Sequence, residues 1–227
     1  MATYERYQEP YRDRLHAGAE LAVRLQHLKE RNDVVVLALP RGGVPVGYEV
    51  ARALGAPLDV FLVRKLGLPG HRELAMGAIA SGGVRVLNDE VVGLYRIPES
   101  VIDAVAAEEQ VELERREREY RDSRQPVPLK GRTVVLVDDG LATGSTMKAA
   151  VQAVRAHGPA KIIVAVPVGS ADTCHDFADI ADQIVCARAP QYFAAVGQWY
   201  RDFSQTTDEE VRELIHDAPA MAGRQSR

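Results

Sequence analysis

Apolar positions along this chain follow two patterns. Where they recur every three or four residues, as at Leu15, Ala19, Ala22, Val23 and Leu25 within 12–29, the spacing predicts an amphipathic helix. Where they run without a break, as in DVVVLALPRGG (33–43), TVVLV (133–137), KIIVAVPVG (161–169) and QIVCARA (183–189), the runs suit strands buried on both faces of a parallel sheet. A further strand is predicted over 56–65 (APLDVFLVRK), and a hairpin-like pair over 74–83 and 84–89 around Gly82 and Gly83. Helices are predicted over 44–54, 98–121, 145–157 and 170–181, with more helix after the aromatic-rich stretch that begins at Gln191. Strands alternating with helices predict an α/β fold: an open, mostly parallel, five-stranded sheet with helices on both faces. Glu112–Arg116, Glu114–Arg118 and Glu117–Arg121, each four residues apart, mark 98–121 as a solvated helix face.

With 227 residues the chain is read as one domain, its core spanning about 31–189 and its tail fraying over about 218–227. A net charge of −4 gives no nucleic-acid footprint, and no apolar run is long enough to span a bilayer. Cys174 and Cys186 have neither metal-ligand spacing nor the look of a disulfide framework, so both are expected as buried, reduced thiols. The mixed-charge N-terminus lacks a secretion signal, and a cytoplasmic setting is expected.

One stretch departs from plain strand-and-helix grammar. VVLVDDGLATGSTM (134–147) ends an apolar run on two adjacent acids and follows it with small residues and hydroxyls. Neighbouring carboxylates repel and need hydroxyl donors or a cation. The amides that follow, from Gly140, Leu141, Ala142 and Thr143 to Gly144, Ser145 and Thr146, open a helix, which is a place for an anion. Carboxylates for sugar hydroxyls beside a phosphate cradle describe a site for a ribose 5-phosphate. It is not a Walker loop, because the Gly-Lys order is missing. The plain alternative is a capped helix after a buried strand.

VVLVDDGLATGST resembles the signature of the type I phosphoribosyltransferases. The resemblance extends to Leu39-Pro40-Arg41-Gly42-Gly43, which looks like the pyrophosphate loop, and to Val63-Arg64-Lys65-Leu66-Gly67-Leu68-Pro69-Gly70, which looks like the lead into the mobile catalytic loop. Taken alone, these are a tight turn and a pair of surface cations. The resemblance implies that family's fold, with a β-hairpin flexible loop and a small hood built from about 1–12 and 190–216. It also implies a Mg²⁺-dependent transfer from phosphoribosyl pyrophosphate to a nitrogenous base-like acceptor, within nucleotide metabolism.

The roles it implies are specific. Asp138 and Asp139 would hold the ribose hydroxyls, directly or through metal-bound water, and act in catalysis with Lys65. Residues 140–146 would bind the 5-phosphate, while Arg41, Gly42, Gly43, Arg64 and Lys65 would receive pyrophosphate. His71, Arg72 and Glu73 at the loop tip could close over the donor. Tyr192, Phe193 and Trp199, with Tyr200 and Phe203 nearby, are candidates to stack on the acceptor, against the plainer reading of an aromatic core or subunit interface. Ala142 stands where members acting on 6-oxopurines usually carry an acid, which counts against hypoxanthine or guanine. AVGQWYRDF and the helix over 99–121 resemble a less characterised bacterial branch. A homodimer is compatible with this picture, as is a protein that senses the donor without turnover. A hydrolase or phosphorylase of a related sugar phosphate ranks last.

Overall fold

The computed structural model describes residues 9–122 and 124–219, the Arg72 side chain excepted. The segments 1–8 and 220–227, which hold most of the expected N-terminal hood and of the frayed tail, lie outside the described residues.

Five strands form the central sheet: β1 (Val34–Ala38), β2 (Leu58–Val60), β6 (Thr133–Val137), β7 (Lys161–Val168) and β8 (Gln183–Arg188), in the order β2-β1-β6-β7-β8, all parallel. β1 and β6 are buried at every position. Their residues divide by alternation: Val34, Val36, Ala38, Val135 and Val137 join one core, and Val35, Leu37, Val134 and Leu136 the other. Two-sided burial is why both strands read as unbroken apolar runs. Truncating Leu136, which has no exposed surface, should cost about 2–5 kcal/mol.

Helices α1 (Arg14–Arg24), α2 (Gly43–Leu54), α4 (Glu99–Arg121), α5 (Ser145–Ala156), α6 (Ala171–Asp176) and α7 (Asp208–Asp217) flank this sheet. A second, antiparallel sheet is built from β3 (Val63–Leu68), β4 (His71–Ala80) and β5 (Val84–Leu87), in the order β3-β4-β5. It supplies the expected hairpin.

Four expectations change. The apolar run over 56–65 is not one strand: it breaks at Phe61 and Leu62, and its halves join different sheets. A short helix, α3 (Asp89–Tyr95), follows β5 and buries none of its residues, so periodicity gave no sign of it. Helix α4 is not wholly a solvated face. Arg121 is buried, donating to Asp59 at 2.7 Å and to the Val60 carbonyl at 2.8 Å, and so ties the helix end to β2. Finally, Cys174 and Cys186 are joined in a disulfide rather than reduced. The crossover from β7 lays α6 beside β8 and brings the two Cα atoms within 6.6 Å, inside the bridging range. Among the described residues no helix is long and apolar enough to cross a membrane.

Candidate functional site

The carboxyl ends of β1 and β6 are neighbours, so the loops that follow them meet. Open α/β sheets bind ligands at such ends. Asp138 and Asp139 follow β6 directly. Across from them the Pro40–Arg41 peptide is cis, and Gly42 is the N-cap of α2. Contact between the loops is tight: a Cβ built on Gly42 would sit 2.0 Å from Asp139 Oδ2, and one on Gly43 would sit 2.8 Å from the Val137 carbonyl oxygen. Only glycine permits this approach. In the first turn of α2, Gly43 and Val44 donate to the Leu39 and Arg41 carbonyls, and Pro45 has no N–H. The amides this loop has left to present are those of Arg41 and Gly42.

The second loop is held from below. Leu141 N–H donates to the Val168 carbonyl at 2.8 Å, Ser170 N–H to the Leu141 carbonyl, and the Thr173 hydroxyl to the Ala142 carbonyl at 2.7 Å. Gly144, at φ +72°, is the N-cap of α5, and Phe177 packs where its side chain would be. No side chain caps α5, so its first amides are open to a ligand. Ala142, Thr143, Ser145 and Thr146 are exposed, with the Thr143 and Ser145 hydroxyls 3.3 Å apart. Ser145 and Thr146 line a cavity of about 450 Å³ that also takes in Lys65, Lys148 and Gln152.

The acids are half-buried. Burial, and then the adjacent Asp139 carboxylate, push the Asp138 carboxyl well above the ordinary carboxylate range. Burial also raises Asp139, and the Arg14 guanidinium offsets part of that rise. Asp138 Oδ1 accepts the Asp139 N–H at 2.8 Å. Arg14, on the first turn of α1, donates from Nε to Asp139 Oδ2 at 2.8 Å, and the Tyr200 hydroxyl donates to the Asp139 carbonyl. Arg14 and Tyr200 therefore bring the chain ends onto the acids. No local pattern at Arg14 announces this, because its partner lies 125 residues away.

The remaining expected site residues divide. Arg41 belongs to the loop beside the acids, and its guanidinium lies 3.9 Å from Asp208 at the start of α7. Strand alternation sends Arg64 and Lys65 to opposite faces of β3. Lys65 lines the cavity with Ser145 and Thr146, whereas Arg64 is paired with Glu109 of α4. Lys65 also lies 3.8 Å from Glu73, which is fully exposed near the hairpin tip. Phe193 and Trp199 pack with Tyr11, Val168 and Tyr200, while Tyr192 stands 88% exposed outside that cluster. Val196 of the same segment touches Gly140.

A magnesium ion bound through one or two carboxylates, with water and substrate phosphate completing its shell, needs no protein cage. Among the described residues no group of three or more His, Cys, Asp or Glu forms one, and the Asp138–Asp139 pair suits the sparser arrangement.

The family description "Phosphoribosyl transferase domain" matches residues 9–187. A Mycobacterium tuberculosis protein that carries the provisional name phosphoribosyl transferase is 53% identical over 206 residues, 91% of this chain and 46% of that protein. The chain thus spans about half the length of this curated relative. The crystal structure of TT1426 from Thermus thermophilus is similar with a TM-score of 0.79 and 46% identity, over 91% of this chain and 97% of that one. "Bifunctional protein PyrR" of Chloroflexus aurantiacus is 32% identical over 129 residues, 56% of this chain and 65% of that protein.

Proposed function

The chain belongs to the phosphoribosyl transferase domain family, and from that membership we propose that it transfers the ribose 5-phosphate of phosphoribosyl pyrophosphate to a nitrogenous base-like acceptor, releasing pyrophosphate. One observation carries the reading. The twin acids lie between two glycine-started helices at the ends of adjacent strands, so hydroxyl-binding and anion-binding groups converge.

In the reaction the C1–oxygen bond to pyrophosphate breaks, a bond from the acceptor nitrogen to C1 forms, and that nitrogen loses its proton. The transition state resembles an oxocarbenium ion, so fixed charges aimed at the ring and the leaving group matter most. Asp138 and Asp139 hold the 2- and 3-hydroxyls and favour positive charge on the ring. The α5 amides, with the Thr143, Ser145 and Thr146 hydroxyls, fix the 5-phosphate and so the angle of attack. Arg41, Gly42 and Lys65 receive pyrophosphate, while Gly43, its N–H held by the Leu39 carbonyl, serves by letting the loop pack against β6; Arg64 joins them only by leaving Glu109. Magnesium, when bound, neutralises charge on the leaving group. Phe193 and Trp199 form the wall nearest the acceptor, and Tyr192 reaches it only by turning in from solvent. The setting in this reading is cytoplasmic.

The test is calorimetric titration of phosphoribosyl pyrophosphate with Mg²⁺ into the protein and into Asp138→Asn,Asp139→Asn, together with pyrophosphate release across a panel of bases. Binding by the parent chain, its loss in the double variant and release with one base class support the proposal. Equal binding by the double variant overturns the role of the acids. Binding without release from any base makes the protein a sensor of the donor.

A further inference from the structure

Resting on that reading, we infer that Arg14 is a positioning residue for Asp139, clamping the second acid of the pair so that one oxygen of each carboxylate is left to face the sugar. Each acid already has one oxygen engaged. Asp138 Oδ1 takes the Asp139 backbone N–H, and Asp139 Oδ2 takes Arg14 Nε. Asp139 Oδ2 is also pressed against Gly42, whose missing side chain would overlap it. Asp138 Oδ2 and Asp139 Oδ1 remain, two acceptors on adjacent residues for two adjacent hydroxyls.

The guanidinium is itself fixed. Arg14 donates from Nη1 to the Ser204 carbonyl at 2.6 Å, and its Cζ lies 4.0 Å from the centre of the Phe203 ring. Phe203 leans on Tyr200, 5.1 Å between ring centres, and Tyr200 holds the Asp139 carbonyl. The Arg14 and Asp139 side chains keep only 12% and 16% of their surface exposed. A fork of donors stacked on an aromatic ring fits arginine; lysine lacks its planarity and carries all its donors on one nitrogen. The clamp is built from the two chain ends, so donor recognition at Asp139 depends on residues 199–204 being in place.

The experiment is a double-mutant cycle on donor affinity, measured by calorimetry with phosphoribosyl pyrophosphate and Mg²⁺ for the parent chain, Arg14→Met, Asp139→Asn and the pair, each checked for an intact melting transition. Losing a hydrogen bond to a charged group should weaken Arg14→Met binding about ten- to a hundredfold. Adding Asp139→Asn should then cost nothing more, because Arg14 acts through that carboxylate. Arg14→Lys, which keeps the charge, should fall between parent and Arg14→Met, and it carries the test if Arg14→Met does not fold. A purely structural Arg14 predicts losses that multiply across the cycle; that result, or Arg14→Met or Arg14→Lys binding within about twofold of the parent, overturns the inference alone. A parent chain that binds no donor overturns the proposed function and this clamp with it.

Discussion

Helices α5 and α7 are similar in length, and their first turns are built in opposite ways. At α7 the chain closes its own N-terminus: the Thr207 hydroxyl accepts from Glu210 N–H, the Glu210 carboxylate accepts from Thr207 N–H, and Asp208, Glu209 and Glu210 set negative charge against the helix dipole. At α5 there is glycine at the cap, no acid in the first turn and no capping side chain. With glycine at the cap instead of a side-chain acceptor, α5 forgoes only a few tenths of a kcal/mol. In the proposed reading α5 is completed by a bound phosphate, whereas α7 is complete as folded.

The sharpest way to break this contrast is to give α5 the charge α7 carries. Ser145→Asp places a carboxylate among the open amides, which should weaken donor binding about a hundredfold or more while stabilising the helix by about 0.3–1 kcal/mol. Calorimetry and thermal melting read the two effects separately, and a variant that binds normally would show that the α5 amides serve no anion. Gly42→Ala comes next. The added methyl must displace Asp139 Oδ2, at a cost of about 1–3 kcal/mol in stability and with a fall in donor affinity, both readable in the same two assays.

Asp138→Asn should separate stability from binding. A carboxyl raised above its unfolded value lowers stability once the pH exceeds the folded pKa and not below the unfolded one. The variant should therefore melt higher at pH 8, by about 2–4 °C for each kcal/mol relieved, and show no gain at pH 3. The smallest effect belongs to α7: Thr207→Ala should cost about 1 kcal/mol in thermal unfolding and leave donor affinity unchanged.

Much of the fold is legible in the residues alone. Thr133–Val137 is bounded by Gly131 on one side and the acids on the other, so its limits followed from the run itself. The α/β class followed from alternation, and the hairpin from its paired glycines. The break after Val60 could not be read, because both sheets ask for apolar residues there and the turn between them uses Phe61 and Leu62, with no glycine or proline. The acids and the hydroxyl turn were legible because they share one segment. The clamp was not, since Arg14, Asp139 and Ser204 are joined only by folding. Arg64 and Lys65 show the opposite case: they are adjacent in sequence, and the strand period sends one to Glu109 and the other to the cavity. The disulfide depends on a crossover whose end point no spacing rule supplies.

The pairing of Tyr11 with Tyr200 has a consequence for how the protein comes into being. A ribosome delivers α1 well before residues 199–204, so the sheet and the loop after β6 can be in place before their clasp arrives. Closing so distant a contact is a late event entropically as well. A nascent chain that has not yet reached residue 199 would thus hold its sheet but lack the groups that orient Asp139, and in the proposed reading it would leave the sugar donor untouched until that segment folds back.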